Sequence, residues 1–362
     1  MNCFGKKITV TIYGESHGVS IGAVLDGLPA GMAIDWDEVR QEMERRAPGR
    51  NTLSTARKEA DAFTVESGYF NGHTTGTPLM VRIVNGDHHS KDYDLLRHVM
   101  RPGHADYAGH VRYGGYNDYR GGGHFSGRLT APLVFAGAVA KQALRPHGIV
   151  IGSHILRIGP VEDRHFDPLG ESLERLGTLR EKTLPLLDES REEEMRAVIE
   201  AARREKDSVG GVIEGMAAGL PAGLGDPFFD SAESQLSHML FSVPAVKGIA
   251  FGDGFSMSAR RGSETNDSLR YENGMVQAAT NHNGGITGGI TNGMPLLFQA
   301  AIKPTPSIGK IQHTVDLESG ENCELAIQGR HDPCIVQRAV PVIEAAAAWT
   351  ILDLLLQGKQ TV

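Results

Sequence analysis

The chain has 362 residues, 40% of them hydrophobic and 22% charged, the make-up of a soluble globular protein with a sizeable core in one large domain or two ordinary ones. Its net charge of −8 excludes a general nucleic-acid binder, which needs a basic face against phosphates. A small anion stays open as a ligand wherever arginines gather. The three cysteines, Cys3, Cys323 and Cys334, are widely spaced without a C-x-x-C, which argues against a disulfide framework or a zinc site.

Lys7–Tyr13, "KITVTIY", alternates Ile8, Val10 and Ile12 with polar residues and predicts a half-buried strand. "GESHG" (Gly14–Gly18) follows. "IGAVLDGLPAGM" is apolar but broken by Gly22, Gly27, Pro29 and Gly31, so it reads as a second strand and a turn. In "DWDEVRQEMERRAPGR", Asp35 is the N-cap of a helix, Glu38 completes a capping-box-like pair, and Pro48 ends the helix near Arg46. "PLMVRIVN" (Pro78–Asn85) is another alternating strand, and "DHH" (Asp87–His89) reads as a polar turn. Arg101–Arg128, rich in glycine, arginine, histidine and tyrosine, has no periodic pattern, which marks a functional segment rather than a linker.

Thr130–Leu144 predicts a buried helix. The segment around 151–205 reads as a peripheral, variable insertion, with weak periodicity over 151–188 and an amphipathic helix at its end. That helix lies within Glu189–Ser208, with Met195, Val198, Ile199 and Ala202 on one face. "GGVIEGMAAGLPAG" returns to strand character, and "SQLSHMLFSVPAVKGIAFGDG" is a helix and then a strand. "PVIEAAAAWTILDLLLQ" is a long apolar helix packed inside; its run is too short for a membrane span and contains Asp353. The N-terminus has no apolar run of signal-peptide length, so the default compartment is the reducing cytoplasm. Helices and strands mix without regular alternation, which fits α+β.

"GESHG" matches G-x-S-x-G, the nucleophile elbow that would make Ser16 a hydrolase nucleophile. The elbow needs a helix after the serine, and glycines and Pro29 spoil one here. There is no phosphate-loop G-x-x-x-x-G-K-[ST] and no metal-ligand spacing. Histidine, arginine and glycine instead recur together in "GESHG", "RPGHADY", "YRGGGHFSGR" and "GRHDPC", with "ERRAPGR" adding cations. Taken singly, each could be a hydrogen-bonding turn or a helix-end charge.

As an ordered set, these blocks with "PAGLGDP", "AVKGIAFGDGF", "NHNGGITGGI" and "KPTPSI" resemble the chorismate synthase family over essentially the full chain. The resemblance implies a single domain, 1–362, folded as a β-α-β sandwich of helices between two antiparallel sheets, and a cytoplasmic homotetramer. It implies a lyase of the shikimate pathway. That lyase converts 5-enolpyruvylshikimate 3-phosphate to chorismate and phosphate by 1,4-anti elimination with reduced FMN, for aromatic amino-acid biosynthesis. NADPH or an outside reductase would reduce the flavin.

By the same resemblance His17 is placed to protonate reduced flavin, His104 to protonate the departing phosphate, and Asp332 to help remove the C6 proton. His124, Phe125, Ser126, Pro244, Ala245, Gly288, Lys303, Pro304, Thr305, Pro306, Ser307 and Arg330 match flavin contacts. Arg46 and Arg50 are candidates for NADP or substrate binding, because arginine binds phosphate and carboxylate in bidentate fashion. The chain departs from many relatives in carrying Thr52 and His124 where they carry arginine. A hydrolase using Ser16, and an inactive flavin- or anion-binding protein, are the competing readings.

Overall fold

The computed structural model describes residues 1–49, 61–86, 95–272, 274–327 and 332–358. Arg50, Thr52, Arg330 and the "DHH" turn lie outside the described residues. Two five-stranded antiparallel sheets enclose a layer of helices. The first sheet holds β1 (Cys3–Phe4), β2 (Thr9–Gly14), β3 (Ser20–Asp26), β4 (Phe63–Ser67) and β5 (Leu79–Val84), in the order β1-β2-β3-β5-β4. The second holds β6 (Val150–Ile158), β7 (Val161–Glu162), β8 (Gly211–Ala218), β9 (Val246–Phe251) and β10 (Leu296–Ile302), in the order β9-β10-β8-β6-β7. The helices are α1 (Trp36–Arg46), α2 (Asp106–Tyr113), α3 (Thr130–Leu144), α4 (Leu173–Leu179), α5 (Glu192–Arg204), α6 (Ala232–Ser242), the single turn α7 (Gly262–Thr265) and α8 (Val336–Gly358).

Helix α3 packs on the first sheet through β2 and β3, α8 packs on the second through β6 and β8, and the two helices pack on each other. They meet where Gly137 faces Ala345: a Cβ on Gly137 would lie 2.2 Å from the Ala345 Cα. Both helices are buried around nearly their whole circumference, so neither shows a polar stripe. Helix α8 has 23 residues and is long and apolar enough to cross a membrane, which corrects the reading of its run as too short. It is buried inside the protein over most of its length, and its Asp353 carboxylate accepts the backbone N–H groups of Lys6, Lys7 and Ile8 at 3.0, 2.7 and 3.1 Å.

Three other expectations are corrected. Residues 151–158 form β6, a strand buried on both faces. Its outer face lies under a second apolar cluster that includes Phe166, Leu176, Leu179 and Leu187, and such a strand has no reason to alternate. The Arg101–Arg128 segment contains a helix, α2, whose stripe is hidden because it exposes Tyr107, Val111 and Tyr113 and buries only Gly109. At α1, Asp35 caps the N–H groups of Asp37 and Glu38, but Glu38 closes no capping box; its carboxylate binds Arg145 and Arg180.

Two buried charge clusters hold these layers. Glu42 and Glu344 in the helical layer face Arg45 and Lys141, with Arg180 reaching Glu42 from the rim and Ser153 bound to Glu344. Burial works against both carboxylates, but these cations outweigh it and hold them well below the usual range. On the outer side of the second sheet, buried His154 bridges Asp163 at 3.1 Å and Glu214 at 2.9 Å. Burial pushes the His154 imidazolium down, and the two carboxylate bonds more than reverse that. Burial likewise opposes Glu214, yet hydrogen bonds from His154 and His165 draw it to about 2.

Candidate active site

The "GESHG" stretch joins β2 directly to β3, so the context is strand–turn–strand with no helix after Ser16. Gly14 has φ 98°, and a Cβ there would lie 2.3 Å from the Ser20 carbonyl oxygen, so only glycine lets the two strands close. The turn is clamped from outside: the Asn85 side-chain amide donates to the carbonyls of Glu15 at 3.0 Å and Gly18 at 2.8 Å. Ser16 and His17 are both buried, and the Ser16 N–H donates to the Gly123 carbonyl at 3.1 Å.

That bond leads into the second glycine turn. Gly121, Gly122 and Gly123 have φ of 58°, 83° and 53°. A Cβ on Gly121 would lie 2.2 Å from the His17 ring, and one on Gly122 would lie 3.0 Å from the His104 ring. The two imidazoles thus lie against consecutive glycines, which brings "GESHG" and "RPGHADY" to one place. His124 ties the same turn to the end of β2 through Nδ1 and the Gly14 carbonyl, 2.8 Å apart.

His104 is oriented by its own motif. Its Nδ1 lies 2.5 Å from an oxygen of Asp106, and Arg101 grips Asp106 at 2.7 and 2.8 Å. Burial opposes charge on Asp106, yet hydrogen bonds from Arg101 and His104 hold its carboxyl far below the usual range. An ionised Asp106 can only accept, so Nδ1 donates to it, and Nε2, on the Cε1–Nε2 edge that faces Gly122, is left to take up or deliver a proton.

The proline-rich loop after β10 closes beside His104. Lys303 donates its backbone N–H to the Ala245 carbonyl at 2.9 Å and its ammonium to the Gly103 carbonyl. A Cβ on Gly103 would touch Pro306 at 3.4 Å. Ala245, after Pro244, holds φ 75°, an uncommon left-handed alanine. Burial, and then the charge of Lys247, lower the Lys303 pKa. Ser307 is buried, the Thr305 carbonyl accepts from Ser208 at 2.7 Å, and the buried Thr305 hydroxyl has no partner among the described residues.

Asp332 pairs with Arg338, whose Nε donates to the Arg46 carbonyl at 3.1 Å. Arg46 puts Nε and Nη2 on Asp61 at 2.8 and 2.7 Å, and its Nη1 reaches the Gly127 carbonyl and the Thr130 hydroxyl. Asp61 also binds Arg128, which donates to Asn85 at 3.2 Å. Two candidates stand differently. The Phe125 ring packs on α2 at Gly109, where a Cβ would lie 2.6 Å from it. Gly288 sits in the hairpin Ile286–Thr291, whose neighbour Gly289 accepts from Ala232, with open space where its own Cβ would be.

Sequence reasoning missed Arg101, Asp106, Asp61, Asn85, Arg128 and Arg338. The first two carried a signal, since they flank His104 inside a motif already singled out. Asp61, in "KEADAF", carried none.

The chorismate synthase family model matches residues 8–356. The chain is 47% identical over 355 residues to the chorismate synthase of Thermococcus gammatolerans, covering 98% of each chain. It is 44% identical over 359 residues to that of Methanosarcina mazei, covering 99% of this chain and 96% of the relative. A solved structure titled "Crystal Structure of Chorismate Synthase" superposes with a TM-score of 0.77 at 28% identity, over 98% of this chain and 93% of that one.

Proposed function

Because the chain belongs to the chorismate synthase family and is a lyase of the shikimate pathway, we propose that the double glycine turn is its active centre. It would act on 5-enolpyruvylshikimate 3-phosphate by 1,4-anti elimination with reduced FMN. The observation that carries this reading is the placement of His17 and His104 on consecutive glycines. The residues also suit FMN. The Lys303 cation offers a partner for its phosphate, and the orphaned Thr305 hydroxyl offers a hydrogen bond. Pro304, Pro306 and Ser307 complete that loop, Ala245, after Pro244, is bonded to it, and His124 and Ser126 would contribute from the glycine turn. Phe125 would contribute through its backbone, since its ring packs on α2. Held by these residues, reduced FMN would supply transient electron density to the substrate's allylic system, which is why a reaction with no net redox change would need it.

The chain's own groups do the rest. His104 Nε2, with Nδ1 fixed by Asp106, delivers a proton to the departing phosphate. His17 holds a proton on the same turn. Asp332, oriented by Arg338, accepts the hydrogen lost from C6 as a proton. Arg101, Arg46 and Arg128 supply positive potential in an otherwise acidic chain. The Arg46 guanidinium is engaged by Asp61, Gly127 and Thr130, which favours an outside reductant over NADPH held there. A cytoplasmic homotetramer is part of the same reading. Exposed Phe228, Phe229, Phe255, Leu269 and Tyr271 support it, because a monomer seldom leaves so many large apolar groups in water. Light scattering reporting a monomer would remove that part.

The test is anaerobic incubation with 5-enolpyruvylshikimate 3-phosphate and chemically reduced FMN, following chorismate absorbance. Product should form only with the reduced flavin. Turnover without flavin would refute the cofactor assignment, and flavin binding without product would favour an inactive binder.

A further inference from the structure

We infer that Asp61 is a positioning residue that fixes the His17 turn and Asp332 relative to one another. The inference rests on the active-centre reading above.

Asp61 has no side-chain exposure and touches no part of the glycine turns or of the Lys303 loop in the described contacts. Its two oxygens go separate ways. Oδ2 takes Nε and Nη2 of Arg46; Oδ1 takes Nη1 of Arg128. From Arg128 the path runs through Asn85 to the carbonyls of Glu15 and Gly18, which bracket Ser16 and His17. From Arg46 it runs through that residue's carbonyl to Arg338 and on to Asp332. One carboxylate therefore lies between the turn that carries one proposed proton carrier and the side chain of another.

The electrostatics require a carboxylate here. Two buried guanidiniums, on α1 and two residues ahead of α3, repel one another in a low-dielectric wall, and the Asp61 carboxylate binds both. Without its charge, Arg128 loses the anchor that aims it at Asn85. The backbone favours the same residue: Asp61 has φ 49°, a left-handed conformation in which Asp and Asn are the best tolerated side chains after glycine. Asp61→Asn therefore keeps shape and backbone and removes only the charge.

The experiment is steady-state kinetics of Asp61→Asn beside wild type and His17→Ala, with reduced FMN in excess. Loss of a supporting shell typically costs about 10- to 100-fold, so kcat should fall by that factor while KM for the phosphorylated substrate moves by less than about threefold, the mark of lost transition-state alignment. A wild-type kcat in Asp61→Asn, or a raised KM with kcat intact, overturns the inference. If Asp61→Asn does not fold, Asp61→Gly tolerates the same φ and leaves a space for formate. Formate should restore part of its kcat and neutral formamide should not; equal effects of the two overturn the inference. A dead His17→Ala with a fully active Asp61→Asn defeats this inference alone. A fully active His17→Ala defeats the active-centre reading.

Discussion

Arg45 and Arg46 are neighbours on the last turn of α1, and they belong to two different clusters. Arg45 faces inward, where Glu42 and Glu344 are matched by Arg45 and Lys141, with Arg180 added on Glu42 from the rim. Arg46 faces the other way, where the Asp61 carboxylate binds both Arg46 and Arg128. The first cluster ends on Ser153 of β6 and, through Arg180, on Glu38 of α1. The second leads outward, to the turn of His17 and to Asp332. The contrast teaches that a buried charge cluster reveals its role by where its hydrogen bonds end. A set whose bonds end within the helices and sheet builds structure, and a set whose bonds end at the proposed site serves that site.

Substitutions can break this contrast. The largest effect on stability is expected for Glu344→Gln, which leaves Arg45, Lys141 and Arg180 sharing Glu42. Removing one partner of a buried pair costs about 3–5 kcal/mol, read as a lower urea midpoint, while kcat per folded molecule stays at the wild-type value. A marked loss of kcat with stability intact would show that the inner cluster also serves catalysis. Gly137→Ala probes the same layer without charge. Its methyl has no room against Ala345, so overpacking should cost about 1–3 kcal/mol, again with kcat preserved. An unchanged midpoint would mean that α3 and α8 sit farther apart.

Asn85→Ala tests the open cluster. Lost hydrogen bonds predict only about 1–2 kcal/mol of destabilisation, but kcat should drop about tenfold because the His17 turn loses its clamp. If stability falls and kcat does not, the path from Asp61 to His17 carries no function. The smallest effect is the pH dependence of the His154 clip. Its raised pKa gives stability that is fully present below the unfolded value of about 6.5 and is lost as pH rises through the folded value. The Glu214 contribution is present above about 4.3 and is lost as pH falls toward about 2. The stability gap between wild type and His154→Asn should therefore be widest between these limits and shrink outside them. A gap constant with pH would mean that His154 is held neutral.

Much of this was legible in the sequence. Helices α3 and α8 stand out because each is a long apolar run, and β2, β3 and β5 because one face of their sheet meets the core. The strand β6 was not legible, since covering both faces erases alternation. The Glu38 carboxylate was misassigned because local spacing says nothing of Arg180, which comes from 142 residues away. At the site, the histidines stood out because histidine among glycines in a non-periodic segment has little packing use. Nothing local separates Arg45 from Arg46, or distinguishes Asp61 from any surface aspartate. Their roles arise where three distant segments meet, and that meeting is a property of the fold.

The most direct test returns to the pair on the first glycine turn. Ser16→Ala and His17→Ala are compared with wild type in the anaerobic assay with reduced FMN. The account predicts that His17→Ala lowers kcat by roughly 100- to 10,000-fold, the usual range for a lost acid–base group, while Ser16→Ala retains turnover within about tenfold of wild type. A dead Ser16→Ala beside a fully active His17→Ala would contradict it.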